Sequence, residues 1–107
     1  MPINLSGLFL PITMPFTKDG NLDPDGLVKN LTKWNATGIA GYVVLGSTGE
    51  RVNLDEREYV QVIETARKAV PATFAFITGA GQQSTRGTID EIKRAARAGA
   101  GGSTIAV

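Results

Sequence analysis

Apolar and polar residues along the chain follow two periods, one of strands and one of helices. Leu8 to Thr13 is a short apolar run closed by Pro15, the pattern of a strand. Lys18-Asp19-Gly20-Asn21 carries an Asp-Gly turn signal. Asp23 then stands as a helix cap, with Pro24 at the first helical position, where a missing N–H costs nothing. Leu27, Leu31 and Trp34 recur at helical spacing as one apolar stripe, and Gly38 ends that helix. Tyr42-Val43-Val44-Leu45, between Gly41 and Gly46, is the near-continuous apolar run of a strand covered on both faces. Asp55 opens a second helix, and Glu58 three residues on makes a capping box. Tyr59, Val62, Ile63, Ala66 and Val70 trace its apolar face before Pro71 stops it. Thr73 to Thr78 reads as a third strand, with Gly79-Ala80-Gly81-Gln82-Gln83 as its loop. Ser84 or Thr85 caps a third helix, with Ile89, Ile92 and Ala96 inward and Gly99 as terminator. Ser103 to Val107 starts a fourth strand.

The strand starts near Tyr42, Phe74 and Ser103 lie about 30 residues apart, the length of a strand–loop–helix unit. Such alternation predicts an α/β chain with a parallel sheet, one domain over residues 1–107 without a linker. Right-handed crossovers gather the loops that follow each strand on one rim. That rim carries Ser47, Thr48, Gln82 and Gln83, and ligands bind there in barrels and open sheets alike.

Composition narrows the chemistry. Of 107 residues 42% are apolar and 20% charged, so the chain buries a core. Eleven basic against ten acidic residues leave a net charge of +1, with no footprint for nucleic acid or an anionic membrane. Cysteine and histidine are absent, which excludes disulfides, the usual zinc ligand sets, thiol catalysis and a Ser-His-Asp triad. A chain without cysteine fits the cytoplasm, the expected location. No apolar run reaches the roughly 18 residues of a membrane helix, and the N-terminus lacks the basic head of a signal peptide.

Gly46-Ser47-Thr48-Gly49-Glu50 carries the most chemical information. Its two glycines are expected to let the backbone turn tightly and approach a ligand. Two adjacent hydroxyls and the amides of the same turn can converge on the two oxygens of a carboxylate. Arg51, next to it, is a candidate for an acidic substrate group. Arg57 between Glu56 and Glu58 reads as a solvated helix face. So does the basic series Arg86, Lys93, Arg94 and Arg97, interrupted by Asp90 and Glu91. Gly79-Ala80-Gly81 lacks the third glycine and the lysine of nucleotide-binding loops.

The Gly46–Glu50 motif, the second loop Gly79-Ala80-Gly81-Gln82-Gln83-Ser84-Thr85 and the segment Pro11-Ile12-Thr13-Met14-Pro15-Phe16 together resemble the dihydrodipicolinate synthase and N-acetylneuraminate lyase family of pyruvate-handling aldolases. The resemblance runs from about Gly7 to Val107. It departs at Met14, where the family usually has Thr, and in the thin segment Gly101-Gly102-Ser103-Thr104. The resemblance implies a (β/α)8 TIM barrel, of which this chain would hold three strand–helix units and the start of a fourth strand, a partial barrel. It implies a Schiff-base lyase acting on pyruvate or a related 2-oxo acid, with no cofactor and no metal. On the family's pattern Thr48 and the local amides hold the carboxylate. Ser47 shares that contact and relays a proton as a catalytic residue, and Gly46 and Gly49 complete the binding turn.

The same resemblance places the Schiff-base lysine and the principal tyrosine beyond Val107. Lys18 lies in a turn and Lys29, Lys33, Lys68 and Lys93 on helices. Tyr42 and Tyr59 read as packing residues. The chain is thus expected to lack the full chemistry by itself, as a truncated product or as part of an assembly. Thr13, Val44, Leu45, Ile77 and Val107 are the expected interior residues of the barrel, and a homo-oligomer through that sheet face is the expected partner. The alternative reading is a non-catalytic module that holds a small carboxylate or phosphate in the Gly46–Glu50 turn.

Overall fold

The computed structural model describes residues 5–105. Strand β1 spans Phe9–Pro11, α1 Pro24–Asn35, β2 Gly41–Val44, α2 Glu56–Ala69, β3 Ala75–Ala80, α3 Thr85–Ala98 and β4 Gly102–Ile105, with a 3-10 turn at Arg51–Asn53. All four strands are parallel and neighbours in sequence are neighbours in space, in the order β1-β2-β3-β4. Successive right-handed crossovers that never reverse direction put the helices on one face of the sheet. The result is a two-layer slab of 38 × 37 × 22 Å.

Local chemistry accounts for the element ends. The Asp23 carboxylate accepts the Gly26 amide at 3.1 Å, with Pro24 opening α1. Asp55 and Glu58 form the reciprocal capping box of α2, at 2.8 and 3.0 Å. Ser84 caps α3 at the Gly87 amide, and Gly99 closes it at a φ of 122°. The core lies between the layers: Leu27 and Leu31 of α1, Tyr59, Val62, Ile63 and Ala66 of α2, and Tyr42, Val44 and Phe76 of the sheet are buried. Tyr42 donates to Asn35 Oδ1 at 2.7 Å, so its phenol is satisfied inside the layer.

Four expectations change. Strand β1 is shorter than Leu8–Thr13, although the Ile12 amide still bonds the Val43 carbonyl at 3.1 Å. Strand β3 is displaced by two residues. The Phe74 amide bonds back to Pro71 at 3.0 Å and holds Thr73 and Phe74 in a turn. Gly79 and Ala80, read as loop, continue the strand and pair with Thr104 and Ile105. In α3 the inward residues are Glu91 and Ala95; Ile89 and Ala96 are exposed and Ile92 half-buried. Apolar spacing pointed at the isoleucines, but the stripe Gly87, Glu91, Ala95 fits the close approach to the sheet.

The fourth change concerns the sheet faces. Strand side chains alternate, so Val44 shares the face of Tyr42 and points under the helices, not toward a barrel interior. The helix-free face carries Val43, Ala75 and Ile77, the last as expected. Thr13 lies past the end of β1 and is exposed, Leu45 is buried, and Val107 lies outside the described residues.

Candidate functional site

The segment after β2 is a run of tight turns. The Gly49 amide bonds the Gly46 carbonyl at 3.0 Å, the Glu50 amide bonds Ser47 at 3.1 Å and the Asn53 amide bonds Glu50 at 2.9 Å. Two residues of this run adopt left-handed backbone, and neither is glycine: Leu45 at a φ of 62° and Glu50 at 60°. A β-carbon in this region crowds the following carbonyl at a cost of about 1–2 kcal/mol. Bracketing strain of this kind concentrates where a loop must hold a set shape.

The glycines therefore act differently from the expectation that both free the turn. A Cβ on Gly49 would stand 2.9 Å from the Ile12 carbonyl oxygen and 3.0 Å from the Leu45 amide nitrogen, so position 49 is closed by packing. A Cβ on Gly46 would meet only Val43 Cγ1, at 3.7 Å, which is ordinary contact. Gly79 is the tightest of the three. A Cβ there would lie 2.0 Å from the Leu45 carbonyl oxygen, so the end of β3 presses directly against the turn.

Ser47 and Thr48 are exposed and stand over the carboxyl ends of the strands. They line a recess of about 350 Å³ with Pro11, Val43, Gly46, Val52 and Gly81. Its floor is the apolar, helix-free face of the sheet and its rim is the pair of hydroxyls, the Gly49 and Glu50 amides being bonded within the turn. An acid group reaching this rim would meet hydroxyl donors while its apolar end faced Val43 and Pro11. Gln82, placed on the same rim by sequence, turns its side chain to Glu91, and Gln83 is exposed.

One feature was invisible in the charge pattern. Glu91, read as helix surface, is 1% exposed and pairs with Arg51. Its carboxylate also accepts Arg51 Nε at 2.9 Å, the Gly81 amide at 3.0 Å and the Gln82 side-chain amide. Burial by itself pushes the Glu91 carboxyl up, but the bonds from Arg51, Gly81 and Gln82 and the Arg51 charge hold it below the ordinary glutamate value. The remaining guanidinium nitrogen of Arg51 donates to the Leu54 carbonyl at 3.1 Å. Arg51 also lies 4.5 Å over the ring of Tyr59, whose hydroxyl donates to the Gly79 carbonyl at 2.7 Å. Arg51, the sequence's candidate for an acidic group, is thus bonded to Glu91 and Leu54 and at the same time lines the recess beside Ser47 and Thr48. The spacing Gly87, Glu91, Ala95 was the available signal, since a glutamate between two small residues one helical turn apart shares their face.

Comparison with known proteins bears on the family and the fold. The model of the dihydrodipicolinate synthetase family matches residues 4–107. The chain is 39% identical over 98 residues to 4-hydroxy-tetrahydrodipicolinate synthase of Stenotrophomonas maltophilia (strain R551-3), covering 92% of this chain and 33% of that protein. A dihydrodipicolinate synthase family protein from Coccidioides immitis superposes with a TM-score of 0.90 at 32% identity, over 96% of this chain and 34% of that one. The chloride-inhibited dihydrodipicolinate synthase from Acinetobacter baumannii complexed with pyruvate gives 0.87 at 32% identity, over 95% and 35%. The chain spans about a third of the length of the curated relatives it matches. Four parallel strands in sequential order with helices on one face are, at that coverage, a partial (β/α)8 barrel. Sequence and fold agree on one assignment: this chain belongs to the dihydrodipicolinate synthetase family.

Proposed function

We propose that the Gly46–Glu50 turn is the carboxylate-holding part of a Schiff-base lyase that acts on pyruvate or a related 2-oxo acid. The observation that carries this reading is the placement of Ser47 and Thr48, exposed at the recess beyond the strand ends and bracketed by two left-handed residues. Thr48 and the local amides would bind the carboxylate. Ser47 would share that contact and relay a proton. In the reaction a lysine amine condenses with the keto carbon, water leaves, and the protonated imine withdraws electrons from the neighbouring carbon. The five lysines of this chain are poor candidates for that amine. Lys18 is in the turn before α1, and Lys29, Lys33, Lys68 and Lys93 are on helices; all are exposed. None is buried among the strands. The reading therefore takes the amine from outside residues 1–107. It also takes the helix-free sheet face as the surface a second copy or further strands cover, and places the protein in the cytoplasm.

Calorimetric titration with pyruvate, and separately with inorganic phosphate, tests the reading. Pyruvate is expected to bind more tightly than phosphate. Ser47→Ala together with Thr48→Ala is expected to weaken pyruvate binding by about tenfold or more, two hydrogen bonds to a charged group being lost. Equal affinity for phosphate would favour the non-catalytic anion-holding module. Pyruvate binding untouched by the double substitution would remove the turn from the site.

A further inference from the structure

The Arg51–Glu91 contact has no part in the proposed chemistry, yet it joins the two loops that form the recess. Arg51 follows the turn directly and opens the 3-10 segment; Glu91 sits a full turn and more inside α3. Both side chains are withdrawn from water, at 12% and 2% exposure. A buried ion pair is expensive to desolvate, and well-packed apolar residues of similar volume commonly hold a fold as well or better. Its effect here is better read in geometry.

The contacts form a closed circuit. The Arg51 guanidinium is bound on one side by Glu91 and on the other by the Leu54 carbonyl. Glu91 binds the Gly81 amide in the β3–α3 loop. Tyr59, beneath Arg51, holds the Gly79 carbonyl, and Gly79 abuts the Leu45 carbonyl at the start of the turn. Glu91 and Tyr59 meet the end of β3 at Gly81 and Gly79, and Arg51 directly follows the segment carrying Ser47 and Thr48. Each of the three guanidinium nitrogens gives an N–H to a protein acceptor, which ties Arg51 to Glu91 and Leu54 at the edge of the recess.

We propose that Arg51 and Glu91 are a positioning pair: their ion pair fastens the β2–α2 turn to the β3–α3 loop and sets where Ser47 and Thr48 stand on the rim. The functional side of this inference rests on the 2-oxo-acid reading above; its geometric side does not.

The test replaces both charges with apolar groups of similar volume, Arg51→Met with Glu91→Leu, in the full chain. Three quantities are read: the urea midpoint, the backbone amide signals by NMR, and the pyruvate Kd by calorimetry. The pair as a positioning device predicts an unchanged or higher urea midpoint. It predicts displaced signals at Ser47, Thr48 and Gly81, unmoved signals at the core residues Leu31 and Ala66, and a Kd raised about tenfold. Unmoved Ser47, Thr48 and Gly81 signals with a Kd within about twofold of the parent would overturn it. Should the double variant fail to fold, Glu91→Gln keeps the side-chain shape. Shifted signals at Ser47 and Thr48 then support the proposal, and unshifted ones refute it. If the parent protein takes up no pyruvate, the 2-oxo-acid reading fails, while the amide signals still decide whether the pair positions the turn.

Discussion

Leu45 and Glu50 hold backbone conformations that branched or long side chains rarely accept, and between them lie the two residues with exposed hydroxyls. The sequence flags glycine at both ends of this turn, and that reading was half informative. Gly49 is closed by the Ile12 carbonyl and the Leu45 backbone; Gly46 is open. Gly49→Ala is therefore expected to cost about 1–3 kcal/mol through forced overpacking. Gly46→Ala is expected to stay within about 0.5 kcal/mol of the parent. Urea unfolding of the two variants side by side measures the contrast. Glu91 supplies a second residue-scale prediction. A carboxyl whose folded value is depressed adds stability that is complete above its unfolded value, about 4.3, and is lost as pH falls through the lowered folded value. The stability difference between the parent and Glu91→Gln is expected to be fully present at neutral pH and to shrink as pH falls below the unfolded value and through the lowered folded one. A difference that is flat with pH would contradict the burial and pairing of this carboxylate.

Elements were legible wherever a local signal and the tertiary packing asked for the same thing. The Asp23 and Asp55 caps, Pro24 and the stripe of α2 are of this kind, and the structure has them where the sequence placed them. The misreadings share a cause. By sequence Gly79-Ala80 reads as loop because glycine punctuates turns, whereas this glycine is needed inside β3 for backbone to pass backbone. Apolar weight points α3 inward at its isoleucines, whereas a salt-bridged glutamate and small residues take the inner side. The Leu45 conformation leaves no trace in spacing, and spacing turns Glu91 inward without showing that Arg51 meets it, since both contacts join segments far apart in the chain. Gly79→Ala is the substitution that acts at this scale. With 2.0 Å to the Leu45 carbonyl, an added methyl cannot be placed without parting β3 from the turn. Loss of cooperative unfolding, or displaced amide signals throughout residues 45–50, is the expected outcome. A variant with parent-like signals would show that the approach is looser than described.

At the scale of the whole molecule, the helices lie on one face of the parallel sheet, and among the described residues no helix covers the other, where Ala75 and Ile77 are nonetheless buried. Val43, Ala75 and Ile77 lie there, with Phe9 and Pro11 at the β1 edge. Two sheet edges also stay open in a sheet of four strands that does not close. Self-association through this face is the expected response. Sedimentation velocity over a range of concentrations should show species heavier than one chain growing in; a single monomeric species throughout would count against it. Among the described residues no helix is long and apolar enough to cross a membrane. The family and partial barrel follow from the chain as a whole, while the chemistry proposed for it depends on a handful of rim atoms.

Those atoms can be observed directly. Titration of the isotopically labelled protein with pyruvate, followed through the backbone amide signals, reports where the acid group sits. Saturable shifts are expected at Ser47, Thr48 and Gly49, with smaller ones at Gly81 across the recess, and they are expected to vanish in the variant with alanine at positions 47 and 48. Shifts centred on any other surface, or none at the turn, would contradict the proposed carboxylate-holding role.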